Sequence, residues 1–248
     1  MCCFSGPVQQ VADTRIFARA VEHGRQVLAY QMTFSANQDL AMILPLPVPR
    51  ATPDHALRFI DLERYPTFFA DLHEGFREPV ARALANKGPA AAAANAPLEV
   101  VAVGSFEASF VPSLNDFTRL DARFRMPAGV WDRLPQYASF GFAVFKLKKE
   151  AHTVHPMAFE FPRADPTTLF FPTVHIHDGA VHSSATFDHA LYCQVKGHVT
   201  ALGDWRESRQ PAGMFADIKK AHGLLDGDGH CYLKELRGTL ANQDTIVR

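Results

Sequence analysis

The chain has 248 residues, 47% of them hydrophobic, with 25 Lys+Arg against 26 Asp+Glu and a formal net charge of -1. That is enough apolar surface for a sizeable core. The balanced charge offers no basic stripe to follow a phosphate backbone, so nucleic acid is not an expected partner. Nor is a membrane, because no apolar run approaches the roughly 20 residues that span a bilayer.

The start, Met1-Cys2-Cys3-Phe4-Ser5, lacks the basic region, apolar stretch and small-residue cleavage site of a signal peptide. The expected location is therefore cytoplasmic. In a reducing compartment a vicinal cysteine pair points to metal binding or chemistry rather than a structural disulfide.

Thr14 to Val21 and Arg25 to Phe34 read as strands, and His23-Gly24 between them is a hairpin turn. Leu40 to Leu46 is a buried strand ended by the proline-rich stretch at 45–53. Apolar spacing predicts helices over Asp54 to Leu62 and Pro66 to Leu84. Residues 88–97 are low-complexity and predict a surface loop. Leu98 to Val111 predicts one long strand, with Val101, Val103, Phe106 and Phe110 in the core, and 113–135 predicts one or two short helices. Further strands are expected at Ser139–Leu147, Thr153–Phe161, Thr168–His177, His189–Val195 and Cys231–Leu236, with loop and helix over Gly203–His222. The expected fold is α+β: a single domain over 1–248 with a mainly antiparallel, sandwich-like β core and helices inserted between hairpins.

Two features carry candidate chemistry. The first is His175-Ile176-His177-Asp178-Gly179. On a strand, residues i and i+2 share a face, so the two imidazoles point together and can close on one ion. Strand histidines without a ligand are also common. His189 and Cys193, four apart, share a face if their segment is a strand. The second feature is the Cys2-Cys3 pair. If Met1 is removed, the Cys2 thiol and its α-amine can chelate a metal with Cys3. The same amine can instead act as base for a nucleophilic thiol. Buried cysteines packing as small hydrophobes are the third alternative.

Weaker signals complete the set. Asp226-Gly-Asp-Gly-His230 starts like a calcium loop, but its twelfth position is Arg237, so it reads as a tight turn. Glu107 is a candidate acceptor for a metal-bound histidine. Glutamine amidotransferases and bile-salt-hydrolase-like enzymes also begin Met-Cys, yet only Arg15 and Arg19 here could stand for their next motifs.

Met1-Cys2-Cys3-Phe4-Ser5, Thr14-Arg15-Ile16-Phe17 and Asp39 to Pro47 together resemble a bacterial family of unknown function that opens with a cysteine pair and soon reaches an L-P-x-P strand. The resemblance covers about the first fifty residues. It implies only that the cysteines and the strand belong to one structural unit.

The residues thus lead to a transition-metal protein holding copper or zinc on Cys2, Cys3, His175 and His177, with a metal ion or small molecule as partner. His189 and Cys193 stand in reserve. An open position on copper would support oxidation, and one on zinc hydrolysis. The rivals are an amidohydrolase with Cys2 as nucleophile and a metal-free binding or structural module built on the Phe-rich sheet.

Overall fold

A computed structural model describes residues 3–77, 101–103, 106–149, 151–195 and 202–248. Among these the chain is β-rich. In chain order it runs β1 (Cys3–Phe4), β2 (Gln10–Val21), β3 (Arg25–Ser35), β4 (Leu40–Leu46), β5 (Arg58–Asp61), α1 (Phe68–Glu74), β6 (Val101–Val103), β7 (Phe106–Val111) and β8 (Gly141–Leu147). It continues through β9 (Ala151–Thr153), β10 (Met157–Pro162), β11 (Leu169–Phe171), β12 (Ser184–Gln194), β13 (Arg206–Glu207), β14 (Tyr232–Ala241) and β15 (Thr245–Val247).

A smaller sheet has the order β1-β4-β8-β7-β6, and a larger one the order β13-β14-β12-β2-β3-β10-β5, with β9 pairing β3. Most neighbours are antiparallel; β12 and β2 are parallel, with Leu191 opposite Ile16. The β2–β3 turn uses His23 and Gly24 at φ of 56° and 68°, the left-handed pair that matches the twist of a hairpin.

Three apolar clusters order these elements. The largest lies between the sheets, where Met42, Leu44 and Phe145 of the smaller meet Ile16, Leu28, Tyr30 and Phe159 of the larger. A second covers the outer face of the larger sheet, where Phe17, Val27 and Ala29 pack under Phe68, Phe69 and Leu72 of α1 and under Leu224 and Leu225. A third covers the outer face of the smaller sheet, where Cys3, Ile43, Phe142 and Val144 meet Phe117, Tyr137 and Ile176. Every residue of β4 is buried. That explains its unbroken apolar run, the mark of a strand covered on both faces.

Several expectations change. Among the described residues α1 is the one α-helix, and it packs on a sheet face. The rest of the helical structure among these residues is short 3-10 turns, so helices inserted between hairpins find no support there. Residues 113–135 form such turns, at Leu114–Arg119, Ala122–Phe124 and Trp131–Arg133. Arg58–Asp61, inside a predicted helix, is a strand because β10 gives it a partner from Met157 to Glu160. The predicted long strand from Leu98 is two antiparallel strands, β6 and β7, with Val103 opposite Phe106. The low-complexity stretch at 88–97 lies outside the described residues. No helix among the described residues is long and apolar enough to cross a membrane.

Candidate functional site

The two sequence features meet in space. Cys3 bridges Ile176 in parallel, the Phe4 N–H donates to the Ile176 carbonyl at 3.1 Å, and the Val8 N–H donates to the His177 carbonyl at 3.4 Å. The N-terminal strand therefore lies along the His-x-His segment.

The alternation that joins the backbones separates the side chains. Cys3, fully buried, points with Ile176 into the cluster outside the smaller sheet. His175 and His177 point the other way, where Phe4 meets the His177 ring at 5.6 Å and Phe187 meets the His175 ring at 4.2 Å. Cys3 and the two histidines thus face opposite sides and cannot ligate one ion. Cys2 lies outside the described residues.

His175 and His177 do share a face, and His189 of β12 joins them. The ring centres are 5.2 Å apart for His177–His175 and 5.0 Å for His175–His189, with interplanar angles of 26° and 23°. The rings are stacked as flat plates. Their lone pairs lie in nearly parallel planes rather than converging on a point about 2 Å from each nitrogen, as zinc or copper ligation requires. Accordingly, no group of three His, Cys, Asp or Glu among the described residues is arranged to hold a metal ion. The expected copper or zinc centre on Cys2, Cys3, His175 and His177 is corrected on this ground.

Burial keeps these rings neutral. It lowers the pKa of His175, takes that of His177 down to about 4 and takes that of His189 down to about 3. Nε2 of His175 and of His189 are buried with no protein hydrogen-bond partner. The stack behaves as aromatic packing.

The segment carrying it is gripped by side chains near the C-terminus. Asp244 Oδ1 accepts the Thr173 N–H at 2.9 Å and the Val174 N–H at 3.2 Å, and its Oδ2 accepts the Tyr137 hydroxyl at 2.6 Å. Asn242 Oδ1 accepts the His175 N–H at 2.7 Å, and its Nδ2 donates to the His175 carbonyl at 2.9 Å and the His182 carbonyl at 3.0 Å. The two side chains replace a neighbouring strand. At the far end of the stack, a bulge in β2 turns Asp13 to a φ of 53°, and its N–H donates to Asp188 Oδ2 at 2.7 Å. Asn242 and Asp244 carried no local signal, since their partners lie about 70 residues away.

The reserve ligands are elsewhere. Cys193 shares the face of His189 but sits in the core between the sheets, where burial pushes its thiol pKa upward. Cys231 is likewise buried, its thiol pushed up to about 12. Glu107 forms an ion pair with Lys146 across β7 and β8, so it serves no histidine. Asp226 accepts the Asp228 N–H at 3.2 Å, the tight turn expected there.

A cleft of about 760 Å³ lies at another place, where the β2–β3 turn meets β10 and the loop preceding β14. Arg19, Arg25, Arg58 and Arg163 line it. They come from four separate segments, so no local sequence pattern marks them as a set.

No protein-family model matches the sequence, and no curated protein does. Solved structures do resemble the fold. A crystal structure of baculovirus P35 matches over 100% of this chain and 99% of its own, at 11% identity and a TM-score of 0.54. A mutated baculovirus P35 after caspase cleavage matches over 96% and 99% of the two chains, at 11% identity and a TM-score of 0.50. A caspase-8/P35 complex matches over 96% of each, at 10% identity and 0.49. The likeness establishes a shared fold over the whole chain. The mutated P35 that shares the fold has been cleaved by a caspase, so what it meets is a protease and not the metal ion or small molecule expected here.

Proposed function

We propose that this chain is a protein-binding protein that engages a protease of the caspase class, as P35 does. The observation behind the reading is the match to P35 over essentially the full length of both chains. A partial match would point to a shared motif, whereas a complete one retains the entire scaffold.

The architecture suits the role. Each sheet carries a packed apolar cluster on both faces, the kind of core that can present a surface with little rearrangement. Protease–inhibitor complexes are the archetype of such pre-organised recognition. The buried histidines and thiols then belong to the scaffold, and the partner's own cysteine supplies the reactive group.

The test is direct. Purified chain is titrated into a panel of caspases and other cysteine proteases, and residual activity is read with a small fluorogenic substrate. Intact mass and peptide mapping then show whether the chain is cut and where. Stoichiometric loss of activity, with the chain retained on the protease, supports the reading. Turnover of the chain as an ordinary substrate, or no effect at a tenfold molar excess across the panel, refutes it.

A further inference from the structure

From the cleft of about 760 Å³ we infer a second binding function: it takes an acidic peptide segment through two carboxylates, one on Arg19 and one on Arg163. The inference does not depend on the protease reading.

The argument begins with charge. Five arginines and three carboxylates (Glu22, Glu160 and Asp226) line the cleft. Glu160 alone pairs with two of the arginines, accepting from Arg25 and from Arg58. Among the described residues Arg19 and Arg163 have no carboxylate in contact. Arg19 Nε donates to the Leu224 carbonyl at 2.8 Å, and its Nη2 donates to the Gly223 carbonyl at 2.6 Å. Arg163 Nη1 donates to the Thr168 carbonyl at 2.8 Å, while its Nε is buried with no protein partner. Asp226 and Asp165 act on these two groups only through space. Carbonyl dipoles hold the guanidinium groups in place but do not neutralise them. A guanidinium with free N–H groups is the preferred receptor for a carboxylate, which it can grip with two bonds.

The spacing selects the occupant. Arg19 lies on β2 opposite Val27, and Val27 of β3 lies opposite Glu160 of β10, three residues before Arg163. Arg163 is therefore two strand spacings across the sheet and three residues along it from Arg19, about 14 Å in all at about 4.8 Å per spacing and about 3.3 Å per residue. One phosphate or carboxylate cannot bridge that gap. Two acidic side chains four residues apart on an extended peptide, about 13 Å apart on the same face, match that span. The volume is that of an ordinary ligand site.

Fluorescence anisotropy of a labelled Glu-Ala-Glu-Ala-Glu peptide at low salt reads the site, with the Gln-Ala-Gln-Ala-Gln peptide as control. The expected result is saturable binding, at least tenfold weaker for the Gln peptide. Arg19→Met and Arg163→Met should each weaken it at least fivefold, and 1 mM inorganic phosphate should fail to displace the peptide. Equal binding of both peptides, or unchanged binding in both variants, overturns the assignment. Displacement by 1 mM phosphate also overturns it, in favour of a single-oxyanion site. If a variant does not fold, arginine-directed modification of the wild-type chain reads the same question. The Glu peptide must slow phenylglyoxal modification of Arg19 and Arg163, and an unchanged rate rejects the site.

Discussion

Replacing Asp244 by alanine tests how the histidine segment is held. The substitution strips the acceptor from three donors at once: the Tyr137 hydroxyl and the N–H groups of Thr173 and Val174. Leaving an inward-facing donor without a partner costs about 1–3 kcal/mol. The low end, summed over three donors, gives a loss of about 3 kcal/mol, against a typical domain stability of 5–15 kcal/mol. With a urea m-value of about 2 kcal/mol/M, the unfolding midpoint should fall by about 1.5 M. Trp131 fluorescence is the natural probe, since its ring lies 6.2 Å from that of Tyr137.

Asp244→Asn separates hydrogen bonding from charge. Its Oδ1 still accepts both backbone N–H groups, and its Nδ2 can donate to the Tyr137 oxygen, so the midpoint should move by less than about a third as much. Burial also raises the Asp244 carboxyl pKa. The folded state therefore binds that proton more tightly than the unfolded chain, whose carboxyl titrates near 3.9. The associated stability is whole below that pH and is lost as the pH rises through the folded value. The Asn variant should accordingly gain on the wild type from about pH 4 upward. An alanine variant within 0.3 M of wild type, or an Asn variant as unstable as the alanine one, would refute the clamp.

Three further expectations follow from the packing. His177 and His189 have pKa values lowered to about 4 and about 3, so stability is whole above the unfolded imidazole value near 6.5. It should fall by up to about 1.4 kcal/mol per pH unit per ring as the pH drops towards 4; His177→Leu should flatten a plot of urea midpoint against pH, and an unchanged slope would remove the histidine account. Cys3, Cys193 and Cys231 are buried thiols, so a thiol reagent should reach all three only in denaturant; rapid native labelling of any of them, located by peptide mapping, would contradict the packing. A Cβ on Gly75 would come within 2.6 Å of the Phe215 ring, and Gly75→Ala should cost about 1–3 kcal/mol through overpacking, read by thermal unfolding.

What local chemistry determines was legible in the sequence. The His23-Gly24 turn joins the strands it was expected to join, because two left-handed residues leave the hairpin little choice. The unbroken apolar run from Leu40 to Leu46 marked a strand covered on both faces. The shared face of His175 and His177 followed from the period of two, and the rings do stand side by side. The step from a shared face to a metal site failed because ring orientation decides ligation, and Phe4, Phe187 and His189 set that orientation from remote segments. Arg58–Asp61 shows the same limit. Its apolar spacing was ambiguous, and a strand about 100 residues later settles it. The arginine cleft had no local signature, since Arg19, Arg58 and Arg163 converge only when β2, β5 and β10 share a sheet.

The parallel pairing of β12 with β2 fixes the order in which the molecule can be completed. Residues 15–19 take their sheet neighbour from residues 190–194, so during synthesis the β2–β3 hairpin waits, one edge bare, until most of the chain has emerged. Contacts this distant in sequence make folding slow, and an uncovered edge strand invites pairing with another nascent chain. A chain stopped before residue 184 would lack the strand that covers β2 and should accumulate as aggregate rather than as a smaller folded unit.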